Sequence, residues 1–165
     1  MTVKQFVQAY LPFARQTEKK TGISAVAILA QAALESGWGV RVPGNMFFGV
    51  KASAATPENK KQLITTTEIL SSPNAKFPVI ISVTKRTDGK YTYKVKDWFR
   101  KYDSPEESFT DHANFFLKNP RYAKALLVKS DPYKFIDAIA VAGYATAPNY
   151  ASVLKDVARN IAKFV

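Results

Sequence analysis

The chain has 165 residues, a formal charge of +11 from 24 basic and 13 acidic residues, and 47% hydrophobic residues. That length suffices for one domain with a real core and is short for two. With no cysteine, disulfides and thiolate metal sites are excluded and the compartment stays open; the charge points to a polyanionic partner such as nucleic acid, an anionic lipid surface or a bacterial wall polymer.

In chain order, "MTVKQFVQAYLPFARQTEKK" reads as an amphipathic helix from about Thr2 to Lys20, with Val3, Phe6, Val7, Tyr10 and Phe13 on one stripe, rather than as a secretory leader. Pro12 is expected to kink or divide it, Gly22 to stop it and Ser24 to cap the next helix. That second helix, "AVAILAQAALES", is apolar nearly all round, the signature of a buried centre. From Gly37 to Lys61 the pattern breaks into Gly, Pro and Asn. Residues 62–70, 77–86 and 90–99 then read as β-branched and aromatic strands, with Asp88-Gly89 as the hairpin turn between the last two.

Helices follow to the end. Ser104, Pro105 and Glu107 form a capping-box signature, and Asp131-Pro132 repeats the pairing of cap and proline. "APNYASVLKDVARNIAKFV" closes the chain as an amphipathic helix. No run is long and apolar enough to span a bilayer, so a soluble molecule without membrane insertion is expected. The pattern predicts an α+β fold over residues 1–165, a mainly helical lobe with a small antiparallel β-hairpin lobe at about 62–99.

The chemistry must come from carboxylates. His112 is the only histidine, which leaves metal pairs and a Ser-His-Asp triad unsupported; a partly exposed structural role is expected for it, with no metal and no cofactor. Glu35 closes an alanine-rich helix, at the electrostatically wrong end for an anion, and Trp38 follows one turn on. It reads either as a surface carboxylate at a frayed end or as a group whose charged form is disfavoured, as a general acid requires. Glu68 is the only acidic residue in "QLITTTEIL", on one face with Ile64 and Thr66. It reads either as an edge-guarding charge or as the second carboxylate of a glycosidase pair.

Six blocks then occur in a recognisable order: "LAQAALESGWG", "NMFFGVKA", "TTTE", "YDSPEESFTDHANFF", "NPRY" and "AGYATAPNYA". From roughly Phe6 onward the chain resembles the lysozyme-like domain of flagellar and autolysin glucosaminidases, glycoside hydrolase family 73. The resemblance implies cleavage of the β-1,4 bond between N-acetylglucosamine and N-acetylmuramic acid in peptidoglycan glycan strands. It implies Glu35 as general acid and Tyr144 at the reaction centre. Glu68 is implied as the second carboxylate, activating water or stabilising positive charge at the sugar; participation by the substrate's own N-acetyl group is also considered in the family. Trp38, Phe48 and Tyr150 are candidates for walls of the sugar groove, where aromatics otherwise belong to the core.

Two departures stand out: Ala147 replaces the family's usual Asp in "YATDPNY", and the hairpin is longer than the compact family form. A lytic transglycosylase is the rival enzyme. A non-catalytic basic module binding wall or nucleic acid is the rival from another class, although the basic residues are scattered and no nucleic-acid motif accompanies them. The expected molecule is a monomer made without a signal peptide and acting in the periplasm of a target cell. Either a delivered antibacterial effector with an acidic immunity protein or a phage lysis enzyme would fit.

Overall fold

Thr2 starts the first helix with a reciprocal cap: its hydroxyl accepts from the Gln5 amide at 3.2 Å while the Gln5 side chain accepts from the Thr2 amide at 2.8 Å. Such a cap is worth about 0.5–2 kcal/mol. The computed structural model describes all residues, Met1–Val165, as two units: Met1–Phe48 with Tyr102–Val165, and Gly49–Lys101.

In the first unit, α1 (Val3–Thr21) passes through Pro12 without being divided. Phe6 and Val7 before the proline and Ala14 and Thr17 after it are all buried, so one packing face spans the missing hydrogen bond. Gly22 ends α1 in the left-handed region at φ 77°, its N–H donating to Glu18 O at 2.7 Å. The second helix, α2 (Ala25–Ser36), buries nine of its 12 residues and packs against α1, α3 (Pro105–Lys118), α5 (Pro132–Val141) and α6 (Tyr150–Ala162). A short α4 (Ala123–Leu126) lies between α3 and α5.

The expected caps are in place. Ser104 accepts from Glu107 N at 3.3 Å, and Asp131 accepts from Tyr133 N and Lys134 N at 3.0 and 3.1 Å. Around α2 the fully buried Phe6, Leu29, Phe109, Phe116, Phe135, Ile139, Leu154 and Ile161 form one hydrophobic core. No helix is long and apolar enough to cross a membrane.

The second unit is an antiparallel sheet of β1 (Lys61–Leu70), β2 (Val79–Lys85) and β3 (Tyr91–Arg100), ordered β1-β3-β2. On one face β3 buries Tyr93, Val95 and Phe99, with Glu68 opposite Tyr93 and Thr66 opposite Val95. The connection between β2 and β3 differs from a two-residue Asp88-Gly89 turn. Arg86 N donates to Lys90 O at 2.7 Å and Gly89 N to Arg86 O at 3.2 Å, leaving Thr87, Asp88 and Gly89 as a three-residue loop. Only Gly89 has a positive φ, 82°, and Asp88 instead accepts from Lys90 N at 3.0 Å. A type I′ turn would need positive φ at both central residues, which Asp tolerates less well than this arrangement.

The α+β class read from the sequence is the one that folds. Helices and sheet fall into separate units, and the three strands lie within about two residues of their expected bounds.

Candidate active site

Glu35 stands in the last turn of α2, and the chain leaves that helix through three successive left-handed residues: Gly37, Trp38 and Gly39 at φ 60°, 59° and 79°. For Trp38 this costs on the order of 1 kcal/mol. The indole packs edge-on against Phe6, centroids 5.4 Å apart, and the Trp38 backbone N–H donates to Ala33 O at 2.8 Å. Gly39 is required by proximity as well as by φ, since a Cβ there would meet the Tyr10 ring at 3.2 Å. Ser36 locks the turn, donating to Ala32 O at 2.5 Å and accepting from Gly39 N at 2.9 Å.

Thus Glu35 remains accessible at the end of a buried helix, and partial burial raises its pKa above the ordinary carboxylate range. The carbonyl end of α2 works in the same direction, since it disfavours a negative charge.

One turn before Glu35 on α2 lies Gln31, buried and polar. Its amide Nε2 donates to the Tyr150 hydroxyl at 3.2 Å, and its Oε1 lies 3.2 Å from His112 Nε2. An amide oxygen only accepts, so His112 carries its proton on Nε2 and donates to Gln31. The Tyr144 hydroxyl is 3.5 Å from the same nitrogen. Phe48 stacks flat on the imidazole, centroids 3.8 Å apart at 10°, and Phe116 meets it edge-on at 5.0 Å. Burial pushes the His112 pKa down to about 3, against a smaller opposing pull from Asp111, so the ring is neutral at working pH.

The Tyr144 and Tyr150 rings are 5.6 Å apart. Burial is the main cause that raises both phenols, Tyr150 to about 12; the charge of Glu35 adds to the shift at each, which puts the carboxylate within electrostatic reach of both hydroxyls.

The helical unit therefore gathers Glu35, Tyr144 and Tyr150, with Phe48 against His112 behind them. Tyr150 is buried with its hydroxyl tied to Gln31, and Trp38 is half-buried against Phe6. His112 is not partly exposed as expected, because it lies on the buried stripe of α3 with Phe109, Ala113 and Phe116. Two members of the cluster were not anticipated. Gln31 is the lone polar residue within an otherwise apolar stretch of α2, four residues before Glu35. His112 follows Phe109 and precedes Phe116 at helical spacing. Both signals were available in the sequence.

Glu68 belongs to the sheet unit. It is half-buried on β1 beside Thr66 and Ile64, and Lys51 Nζ lies 2.9 Å from it and 3.4 Å from Asp97. The hydrogen bond to Glu68 is the leading cause of the raised Lys51 pKa. As the partner of an ammonium, Glu68 is held as an acceptor. At the departure noted above, Ala147 supplies its carbonyl to Tyr150 N at 3.2 Å, and α6 starts at Asn149 without a side-chain cap.

Residues 11–163 match the family model described as glucosaminidase, mannosyl-glycoprotein endo-beta-N-acetylglucosaminidase. The protein named peptidoglycan hydrolase FlgJ of Vibrio parahaemolyticus is 34% identical over 164 residues, which cover 96% of this chain and 47% of that protein. The chain thus spans about half the length of such relatives. Among solved structures, the C-terminally truncated glycoside hydrolase domain of Salmonella typhimurium FlgJ superposes with a TM-score of 0.75 at 33% identity, covering 99% of this chain and 100% of that one. A peptidoglycan hydrolase mutant from Sphingomonas sp. A1 gives a TM-score of 0.66 at 30% identity, covering 94% and 92%.

Proposed function

Because the chain belongs to the glucosaminidase family of glycoside hydrolases, we propose that it hydrolyses the β-1,4 bond between N-acetylglucosamine and N-acetylmuramic acid in peptidoglycan, with Glu35 as the general acid. The observation that carries this is the setting of Glu35: an accessible carboxyl at the carbonyl end of a buried helix, its pKa raised, beside two phenols that stay protonated. A carboxyl whose charged form is disfavoured holds its proton to higher pH and is better placed to donate it. The names of the relatives as peptidoglycan hydrolases support the substrate class.

In the reaction, the Glu35 proton passes to the glycosidic oxygen as the bond from the sugar C1 to that oxygen breaks. Water then adds to C1, and the carboxylate of Glu68 accepts its proton. The hydroxyls of Tyr144 and Tyr150 donate to polar oxygens of the sugar at the reaction centre. Gln31 and His112 hold those hydroxyls rather than touching substrate. Phe48 fixes the imidazole plane, and Trp38 shapes the exit of the chain from α2.

Digestion of purified peptidoglycan by wild type, Glu35→Gln and Glu68→Gln, with products reduced and identified by mass spectrometry, tests the proposal. Reducing N-acetylglucosamine ends from wild type, abolished in the first variant and strongly reduced in the second, are expected. Anhydromuramic ends with a fully active Glu68→Gln variant would assign a lytic transglycosylase instead. For the biological setting we favour a delivered antibacterial effector over a phage lysis enzyme, since a +11 surface is complementary to an acidic inhibitor. A tight acidic partner co-purifying from the producing strain is the expected result, and its absence would overturn that setting.

A further inference from the structure

The charge is unevenly divided. Gly49–Lys101 holds eleven of the 24 basic residues and four of the 13 acidic ones, giving this stretch +7 of the total +11. Its four carboxylates are all engaged. Glu68 and Asp97 share Lys51, Asp88 pairs with Arg86 at 3.2 Å, and Glu58 pairs with Lys61 at 3.1 Å. Two of the remaining cations, Lys94 and Lys96, are arranged in a row on one strand.

On β3 the side chains of Lys94, Lys96 and Trp98 alternate with the buried Tyr93 and Val95, so they share the sheet face opposite to Glu68. All three are exposed, Trp98 by 42%. Across the strands Lys94 is flanked by Thr67 and Ser82, Lys96 by Thr65 and Val79, and Trp98 by Leu63. No carboxylate is opposite either lysine.

Lysines that guard a sheet against edge pairing sit on edge strands. These sit on the middle strand, whose backbone is hydrogen-bonded on both sides, so that reason does not account for them. A row of two cations bordered by hydroxyls and ending in a half-exposed indole presents charge for carboxylates, donors and acceptors for sugar hydroxyls, and a flat apolar face for a sugar ring. From Lys94 to Trp98 the strand rises roughly 14 Å, a length suited to a polymer rather than to a small molecule.

We propose that this outer face of the sheet is a second, non-catalytic docking surface for peptidoglycan itself, gripping the carboxylate-bearing peptide stems through Lys94 and Lys96 and a sugar ring through Trp98. This rests on the wall-hydrolase reading above. The surface holds the enzyme on the insoluble wall, so it governs turnover of intact wall and leaves that of short soluble fragments unaffected.

The test compares the parent with Lys94→Glu/Lys96→Glu, Lys94→Gln/Lys96→Gln and Trp98→Ala. Binding to purified sacculi is measured in a Glu35→Gln background, at low and high salt. Turnover of short soluble glycan fragments is measured with Glu35 intact. A lysine beside an anionic surface contributes roughly fivefold to affinity, so the double glutamine variant should bind sacculi about 25-fold less tightly, the double glutamate variant less tightly still, and both with a shallower salt dependence. Trp98→Ala should lose affinity with the salt dependence retained, and soluble turnover should stay within twofold of the parent in all three.

Unchanged binding to sacculi would overturn the proposal. So would an equal loss on soluble fragments, which would place the face in the catalytic groove. Loss of binding to duplex DNA with binding to sacculi intact would assign the face to nucleic acid. If the parent with Glu35 intact turns over no wall substrate at all, it is the wall-hydrolase reading that fails, and the binding measurement still decides the face.

Discussion

Gln31→Glu tests the polarity of the buried network while scarcely changing its shape. In the native arrangement His112 Nε2–H donates to Gln31 Oε1 and Gln31 Nε2 donates to the Tyr150 hydroxyl, each at 3.2 Å. The Tyr150 oxygen is thereby engaged as an acceptor, which leaves its own proton for a partner in the site. A glutamate at position 31 still accepts from His112 but cannot donate, so the Tyr150 proton turns inward to it. The site loses one oriented donor. Removing a donor to a developing charge costs as much as 10²–10³ in kcat; a phenol on a polar sugar oxygen should cost less, about 10–100-fold, equivalent to roughly 1.4–2.7 kcal/mol of barrier.

The assay is kcat and KM on soluble glycan fragments for Gln31→Glu, Tyr150→Phe and the double variant, each checked for Tm. The loss should fall on kcat, and the double variant should be little worse than Tyr150→Phe alone, because both changes remove the same donor. A folded Gln31→Glu with wild-type kcat would refute the assigned polarity, as would losses that simply multiply. Should Gln31→Glu fail to fold, Tyr150→Phe with undiminished kcat would refute it alone.

Three further outcomes follow from burial and charge. Glu35 has a raised pKa in the fold, so the native state binds its proton more tightly than the unfolded chain; stability is full below the unfolded pKa and is lost as pH rises through the folded one. Glu35→Gln should therefore match wild-type Tm near pH 4 and exceed it at pH 8, in thermal melts, and a crossing in the other direction would contradict the shift. His112 behaves oppositely: with its pKa at about 3 in the fold, stability is present above about 6.5 and lost as pH falls toward 3. His112→Asn should flatten that acid-side decline in a denaturant series, at some cost in stability at neutral pH. Leu29→Ala, at a fully buried position on α2, should cost about 2–5 kcal/mol by chemical denaturation, and a cost under 1 kcal/mol would mean that α2 is not the centre of the core.

Much of this was legible because local chemistry and long-range packing agree. Ser24, Ser104 and Asp131 announce helix starts, Gly22 and Gly37 announce stops, and the apolar α2 could only be a centre. Pro12 does not divide α1, because the helix buries one face on both sides of the missing backbone hydrogen bond. The turn at Asp88-Gly89 misled because a dipeptide does not fix loop length; the pairing of Arg86 with Lys90 does. His112 was read from its polarity instead of its place on the apolar stripe of α3. Glu35 was suspect from its place at a helix end, whereas the polarity of the Gln31 network depends on three helices meeting and is written in no single segment.

The cluster in the helical unit has a common electrostatic character. Burial favours the protonated carboxyl of Glu35, the protonated phenols of Tyr144 and Tyr150 and the neutral imidazole of His112, so every group there is driven toward its uncharged form. Such a setting suits proton donation and would serve poorly as a base. On the sheet, Glu68 shares the ammonium of Lys51 with Asp97, so it stands beside a cation instead of an apolar wall. The two glutamates proposed as acid and base thus differ in environment and not in residue type. On the proposed roles, placing a lysine beside Glu35 should favour its ionised form and abolish release of reducing ends from peptidoglycan, and a variant of that kind with full activity would refute Glu35 as the proton donor.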